Sequence, residues 1–336
     1  MIRRKRDLHI QEQLAHRIVR RTTIRGVILT VFGAVLWALS SACGQFLIQK
    51  KGFNPEWLSS TRILFAGLVL TLIGVIQNRS GIKELFKNKK DLLRLLIFGV
   101  AGYMLAQYSF LQAVEVSNAA TATVLQYTAP IMIVAFVCVS TRRAPTLIEA
   151  VSIVLAVTGV FLLSTHGSFS NLSIDKMALI WGLLSAVGMV FFSLMPTKMI
   201  PKYGSILVTG LGMLTGGIVM LFIARPWNYA DLEKFDLAGI LAYTGFALGG
   251  AIIGYTLYTQ GVADIGSAKA SMIASIEPVT SAVFAAFLGT MFGPLDIVGM
   301  VCIVITIILL SMPPKKIKIS FHHPKTTSVK EKKREK

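Results

Sequence analysis

Long apolar stretches that carry almost no charge recur along the whole chain, and they constrain its fold more than any other feature. A helix needs about 20 mostly apolar residues to cross roughly 30 Å of hydrocarbon. Helices also satisfy their own backbone polar groups in lipid. Ten such blocks occur, near residues 27–48, 57–77, 93–113, 119–140, 147–165, 177–197, 204–224, 238–260, 267–290 and 295–312. The pattern predicts an all-α membrane protein with ten transmembrane helices.

The composition agrees with a protein whose first partner is the lipid bilayer. Hydrophobic residues make up 54% of the 336 residues and charged residues only 15%, whereas a soluble domain carries about 25% charged residues. The net charge of +18 could indicate nucleic-acid binding. The charges, however, lie in the two termini and in alternate connections, so no nucleic-acid partner is predicted.

The basic residues are shared unequally between the two sets of connections. If the N-terminus lies in the cytoplasm, 28 of the 34 Lys and Arg residues fall in cytoplasmic segments. This bias matches the positive-inside rule and predicts a multi-pass cell-membrane protein with both termini in the cytoplasm. Residues 1–26 are then a basic cytoplasmic tail, and residues 313–336 are a second basic tail, too polar to form a core and therefore disordered.

The two halves of the chain resemble each other. Residues 110–130 align with residues 258–278 at an offset of 148. The matched pairs include Gln112 with Gln260, Ala122 with Ala270 and Pro130 with Pro278. Each half, residues 27–166 and residues 177–312, then holds five spans, and an odd number places the halves in opposite orientations. The alignment thus predicts two inverted five-helix repeats, a common architecture of secondary transporters.

Three segments carry a resemblance to a known family: GAVLWALSSACGQFLIQKKGFNPEWLSSTRILFAG (33–67), YSFLQAVEVSNAATATVLQYTAPIMIVAF (108–136) and GYTLYTQGVADIGSAKASMIASIEPVTSAVFAAFLG (254–289). Over residues 27–312 the chain resembles the EamA family of the drug/metabolite transporter superfamily. In that family a Trp of the first span is followed by a Pro and an Arg leading the second. Trp37, Pro55 and Arg62 stand at those places.

The resemblance extends to the fourth and ninth spans and has one departure. The family's "LxPV" element corresponds to residues 128–131 and 276–279. Family members often have Gly-Glu shortly after these spans, whereas this chain has Ser-Thr-Arg-Arg at 140–143 and Gly-Thr-Met at 289–291. Any role of those acids is therefore not carried over. The resemblance implies two repeats of about five helices and transport of a small organic metabolite, such as an amino acid or related compound, with export favoured.

Two ionisable residues at membrane depth are candidates for substrate binding or coupling, because such groups usually face a cavity or a partner. Glu277 precedes Pro278, and its carboxylate could bind a substrate amine or shuttle a proton. Alternatively, it is a structural group paired with Arg62 or hydrogen-bonded within the bundle. Arg62 could hold a substrate carboxylate, extend to the outer interface, or serve as the counter-ion of Glu277.

Aromatic and amide side chains within the spans form a candidate cavity lining, although each alone is more often a helix-packing contact. Proline removes a backbone donor and frees an upstream carbonyl, so Pro130 and Pro278 are predicted helix breaks. The remaining candidate substrate-binding residues are Trp37, Tyr108, Gln112, Tyr127, Trp181, Tyr255, Tyr258 and Gln260.

Several chemistries lack a sequence signal. The three cysteines lie inside apolar blocks without CxxC spacing, and the five histidines lie in tails or a loop, so no metal site is predicted. No Walker A sequence is present, and no nucleophile stands at a recognisable spacing from a base. We therefore predict a protein that needs no cofactor and is not an enzyme.

The inverted repeat is the strongest functional indication. Two similar halves of opposite orientation can exchange conformations and so expose one central site to either side. We predict a secondary carrier that moves a small-molecule substrate across the cytoplasmic membrane by alternating access. The alternative is a non-transporting sensor or assembly factor that acts through the basic tails. A homodimer is one assembly that the sequence allows.

Overall fold

The computed structural model describes residues 2–117, 119–171, 176–229, 234–287 and 293–311. Within these ranges the regular structure is helical and contains no strand. The main helices are α1 (Ile2–Gln49), α2 (Pro55–Gln77), α3 (Lys89–Val116), α4 (Ala119–Gln126 and Ala129–Ser140), α5 (Leu147–Thr165), α6 (Lys176–Leu194), α7 (Ser205–Ala224), α8 (Leu237–Ile265), α9 (Ser267–Ile273 and Ile276–Phe287) and α10 (Pro294–Ser311). Short helical segments between them are Arg79–Lys87, Phe169–Asn171, Met195–Lys198, Ile200–Tyr203 and Pro226–Tyr229.

Eight helices in the described part of the chain, α1 to α8, contain stretches long and apolar enough to cross a membrane. The apolar stretch of α10 is shorter, Pro294–Leu310. Helix α9 is described as two pieces that end at Phe287, before residues 288–292, which lie outside the described ranges. The all-α membrane class is therefore confirmed, whereas the number of ten spans stays a prediction.

The two predicted tails have different outcomes. Residues 2–26 form the beginning of α1, which continues without a break into the first apolar block, and the candidate span within it is Arg17–Ile48. Residues 313–336 lie outside the described ranges, so their predicted disorder stays a prediction.

The helices pack in four main pairs: α1 with α8, α3 with α6, α2 with α7, and α5 with α10. Small residues line these contacts, as expected in lipid, where close backbone approach drives helix association. A side chain on Gly67 of α2 would lie 2.4 Å from the backbone nitrogen of Leu214 in α7. One on Gly188 of α6 would lie 2.4 Å from the backbone nitrogen of Ala106 in α3. The helix surfaces therefore meet backbone to backbone.

Two helices contain π-helical segments at matching places in the two halves. They are Phe98–Met104 in α3 and Gly245–Gly254 in α8, which overlap when the offset of 148 is applied. A π-helical turn widens the helix and is often found at functional sites. Gln107 follows the first segment by three residues and Tyr255 directly follows the second, and their side chains bond to each other across the bundle.

A buried carboxylate fastens the end of the bundle that contains the starts of α3 and α7. Asp91 in the first turn of α3 is 1% exposed and accepts hydrogen bonds from Lys202 (3.0 Å), Tyr203 (3.0 Å), Arg94 (2.7 Å) and Asn88 (3.0 Å). Burial, followed by the bond to Asp91, raises the pKa of Tyr203 to about 12. The hydroxyl is therefore a permanent donor at physiological pH.

Removal of the two donors from the α6–α7 connection is expected to have unequal effects. Tyr203→Phe should lower the free energy of unfolding by about 1.5–3 kcal/mol, because the lost hydrogen bond is buried and its acceptor is a carboxylate. Lys202→Ala should have a smaller effect, since this ammonium is half-exposed and such pairs are weak. Thermal unfolding of both variants in detergent, followed by size-exclusion chromatography, measures the difference. Equal losses would contradict the stronger contribution of the buried donor.

Charged residues also fix two connections at the helix ends. Arg143 donates two hydrogen bonds of 2.7 Å to Glu149, whose carboxylate raises the pKa of the Arg143 guanidinium. Glu149 completes a capping box with Thr146 at the start of α5. Elsewhere, Lys51 binds Asp236, the N-cap residue of α8, and holds the pKa of that carboxyl below its usual range. The connections are thus ordered by local charge pairs.

Candidate functional site

Helices α4 and α9 are both interrupted in mid-course, shortly before a proline. In α4 the interruption is at residues 127–128, two residues before Pro130, and in α9 it is at residues 274–275, three residues before Pro278. Proline has no N–H to continue the helical ladder, so a break is expected just upstream. The two interruptions lie at matching positions of the repeat and place their side chains next to each other.

The break in α9 releases a backbone acceptor into the bundle. Pro278 cannot donate to the carbonyl of Ala274, its normal helical partner. That carbonyl instead accepts from the Glu277 backbone N–H at 3.0 Å and from the hydroxyl of Tyr127, in α4, at 3.4 Å. The free carbonyl thereby links the two broken helices.

A cavity of about 380 Å³, including the space at its mouth, lies beside the two breaks. In this state the enclosed part of the cavity has room for only a few water molecules, so a solute requires the surrounding helices to move apart. The wall is formed by five helices: α1, α4, α6, α8 and α9. The lining residues are Trp37, Gln126, Tyr127, Ala129, Pro130, Ile133, Met189, Ser193, Tyr258, Ser271, Ala274 and Glu277.

Glu277 brings a carboxylate into this wall. Its Oε2 lies 3.3 Å from the Tyr127 hydroxyl, whose one proton is shared between this carboxylate and the Ala274 carbonyl. Within the described ranges no Lys, Arg or His forms an ion pair with it. The direct pairing with Arg62, one of the alternatives from the sequence, is therefore not formed.

Arg62 lies outside the cavity wall and has partners of its own. Its guanidinium donates to the side-chain oxygen of Gln107 at 3.1 Å and to Ser40 Oγ at 3.4 Å, and it stacks on the ring of Phe246 at 4.1 Å. The residue is 8% exposed, so its side chain is enclosed by protein. Gln107 in turn donates to the hydroxyl of Tyr255. Arg62 thus reaches the cavity only through a chain of neighbours.

An aromatic cluster contributes Trp37 and Tyr258 to the cavity wall. The rings of Trp37 and Tyr258 are 4.8 Å apart, and Trp37 and Tyr255 are also 4.8 Å apart. Phe192 stacks on Tyr258 at 5.3 Å, and the Tyr258 hydroxyl bonds to Ser193 at 3.0 Å. These contacts hold the rings of Trp37 and Tyr258 in place, which is what a preformed binding wall requires.

The other candidates from the sequence lie away from the cavity. Tyr108 and Trp181 contact each other edge to face at 6.0 Å. Gln112 donates to Glu115 at 3.3 Å, and Gln260 donates to Asp264 at 3.0 Å. No observation tests a role for these residues, so their assignment stays a prediction.

Sequence reasoning missed several lining residues that carry no charge or ring. Ser193 and Met189 lie on one face of α6, four residues apart, and Ser271 lies on α9. The two serines offered only an isolated hydroxyl within an apolar block, which is equally typical of helix packing, and Met189 offered no polar signal. The contact between helices, rather than the residue type, brings them to the cavity.

Comparison with known proteins gives a consistent result. The model of the EamA-like transporter family matches the chain twice, over residues 24–165 and residues 176–312. The chain is 35% identical over 298 residues to YicL, an uncharacterized inner membrane transporter of Salmonella typhimurium, which covers 88% of this chain and 98% of YicL. It is 22% identical over 296 residues to an uncharacterized transporter of Clostridium kluyveri, which covers 87% of this chain and 94% of that protein.

A solved crystal structure shares the fold. It superposes with a TM-score of 0.69 at 12% sequence identity and covers 86% of this chain and 96% of that chain. At this identity the likeness concerns the fold alone. The family match, in contrast, covers most of the sequence in two consecutive copies. The chain therefore belongs to the EamA-like transporter family and is a multi-pass membrane transporter of the drug/metabolite transporter type.

Proposed function

We propose that this transporter is a secondary carrier that moves a small organic metabolite through the central cavity by alternating access, with export as the working direction. In this proposal ten helices form two inverted five-helix repeats and both termini lie in the cytoplasm. The observation that carries the proposal is the cavity enclosed between two broken helices, one from each half of the chain. Broken helices beside a mid-membrane site are typical of secondary transporters.

The pairing of the helices supports the inverted repeat. In the proposed repeat α1 corresponds to α6, α2 to α7, α3 to α8, α4 to α9 and α5 to α10. Replacing each helix by its counterpart turns the pair α1–α8 into the pair α6–α3, which is also one of the four observed pairs. The pairs α2–α7 and α5–α10 are converted into themselves. Such a pattern is expected when two similar units are related by a pseudo-twofold axis in the membrane plane.

The burial of matched residues in the two halves supports a conformation in which the cavity is closed to one side of the membrane. Tyr258 is fully buried whereas its counterpart Phe110 is half-buried, and Ser271 is buried whereas its counterpart Thr123 is half-buried. The α8–α9 hairpin is thus packed more tightly than the α3–α4 hairpin. With both termini in the cytoplasm, the packed hairpin lies at the cytoplasmic end, so this state is closed to the cytoplasm.

Cysteine accessibility tests the proposal at two matched positions. In a background with the native cysteines replaced, we expect a membrane-impermeant thiol reagent to modify Thr123→Cys at least tenfold faster than Ser271→Cys when added from outside. Saturating substrate or an opposing gradient should change this ratio, because the carrier then cycles between its two states. A ratio that no condition changes would contradict alternating access.

Topology requires its own experiment. Single cysteines at Pro145 and Leu295, in the α4–α5 connection and at the start of α10, should be modified from opposite faces of the membrane. Modification of both from one face would remove the inverted repeat. A comparison of metabolite efflux from cells with and without the protein then identifies the substrate and tests the proposed direction.

A further inference from the structure

We propose that the cavity selects solutes that carry a cationic nitrogen on an apolar body, with Glu277 as the counter-ion. This inference rests on the proposed carrier function and names the substrate class for the same site. It is drawn from the charges, the hydrogen bonds and the rings of the cavity wall.

The charged group of the cavity wall is the carboxylate of Glu277. Among the described residues that line the cavity, Glu277 is the sole ionisable acid or base apart from the tyrosine hydroxyls. This is notable in a chain with a net charge of +18. A carboxylate at membrane depth without an ion-pair contact among the described residues is expensive, and a site that keeps one has use for negative charge.

The Glu277 carboxylate has unused hydrogen-bond acceptor positions. An ionised carboxylate offers about four acceptor positions, and the described contacts of Glu277 use one, the 3.3 Å bond from Tyr127. Glu277 also lies in the first turn of the 12-residue helix Ile276–Phe287, where the helix dipole favours an anion. The negative charge is thus tolerated there but incompletely matched, and a positively charged donor in the cavity would complete it.

The aromatic rings of the cavity wall are suited to binding a cation. The cavity wall contains Trp37, Tyr127 and Tyr258, and the faces of such rings attract cations, Trp most strongly. The same rings bury an apolar body without a polar partner. A carboxylate and aromatic rings in one wall are the features that recognise an organic ammonium.

Substrates with a carboxylate fit the charge of this cavity poorly. An acidic group would need a cationic partner, and Arg62, the nearest candidate from the sequence, is outside the wall and already bonded to Gln107 and Ser40. In the cavity an anion would meet the charge of Glu277, which is repulsive. The wall therefore favours a simple amine over an acid of the same size.

Three small probes that share one hydrocarbon body test this selectivity: phenethylamine as the cation, 2-phenylethanol as the neutral analogue and 3-phenylpropionate as the anion. Binding to the purified full-length protein is measured by calorimetry, and flux is measured in proteoliposomes. We expect phenethylamine to bind at least tenfold more tightly than either analogue. Glu277→Gln should remove this preference, Glu277→Asp should retain it, and Glu84→Gln, an exposed acid on another segment, should leave it unchanged.

The outcomes separate the two proposals. Equal binding of the three probes, absence of phenethylamine binding at millimolar concentration, or an unchanged preference in a folded Glu277→Gln protein overturns the inference. If the carrier transports other solutes in that case, the proposed function stands. Tight, Glu277-dependent binding of phenethylamine without flux of any solute supports the inference and contradicts the carrier.

Discussion

Arg62→Met is expected to lower transport at least tenfold while the free energy of unfolding changes by less than about 1 kcal/mol. Arg62 is a buried cation with no carboxylate in ion-pair contact among the described residues. Its desolvation is offset by two neutral hydrogen-bond acceptors, by the ring of Phe246 and by the more distant charge of Glu277. A methionine of similar length loses these contacts but also removes the buried charge, so the two effects on stability oppose each other.

Transport should suffer because Arg62 orders the neighbours of the cavity. Arg62 is bonded to Gln107, Gln107 to Tyr255, and Tyr255 is packed on Trp37 of the cavity wall. Without the guanidinium, Gln107 and Tyr255 are free to choose other partners, and Trp37 loses a fixed neighbour. The prediction therefore separates a functional role from a structural one.

Proteoliposome flux and thermal unfolding of the same preparation measure the two quantities. Arg225→Met is the control, because Arg225 is exposed at the end of α7 and should affect neither. Unfolding or loss of expression of Arg62→Met with unchanged flux per folded molecule would show that Arg62 is a packing residue and would contradict the prediction.

Gly67→Ala should lower the free energy of unfolding by about 1–3 kcal/mol, the usual range for overpacking, or by more. The added Cβ would lie 2.4 Å from the nitrogen, 2.7 Å from the Cα of Leu214 and 2.8 Å from the carbonyl carbon of Met213. All three are backbone atoms, so no side chain can rotate away, and helices α2 and α7 must separate. Gly249→Ala is the matched control, because its Cβ would meet nothing within 4 Å.

A second substitution in the same contact sharpens this prediction. Gly210 of α7 faces the backbone of Thr71 in α2, where a Cβ would approach the nitrogen to 2.5 Å. One outward movement of α2 from α7 relieves both clashes, so the double variant should lose less stability than the sum of the single losses. Thermal or denaturant unfolding in detergent gives the three values. Full additivity would show that the two sites relax independently.

Helix type and location could be derived from the sequence because they depend on local properties. About twenty successive apolar residues favour a membrane helix whatever their neighbours are, and a proline favours a helix break near its own position. The apolar blocks and the positions of Pro130 and Pro278 accordingly agree with the helices and breaks of the structure. The end of the ninth block and the last tail lie outside the described residues and add nothing to this comparison.

The site itself was predicted only in part. Glu277, Trp37, Tyr127, Tyr258 and Pro130 do line one cavity. The matched pair Gln112 and Gln260 was suggested by the repeat, yet each bonds to an acid near its own helix end. Similar sequence positions in two halves mark similar places in the fold, but they do not say which face of the helix turns inward.

The chain's own order of residues determined that it folds as membrane helices, that its halves are related, and that two of its helices break beside a proline, because each of these follows from neighbours along the backbone. Only the tertiary structure decided that Glu277 meets Tyr127 and aromatic faces rather than Arg62. That choice depends on the rotation and partner of each helix, which are set by backbone contact at glycines between distant segments. Such contacts leave no periodic signal in a stretch that is apolar on every side.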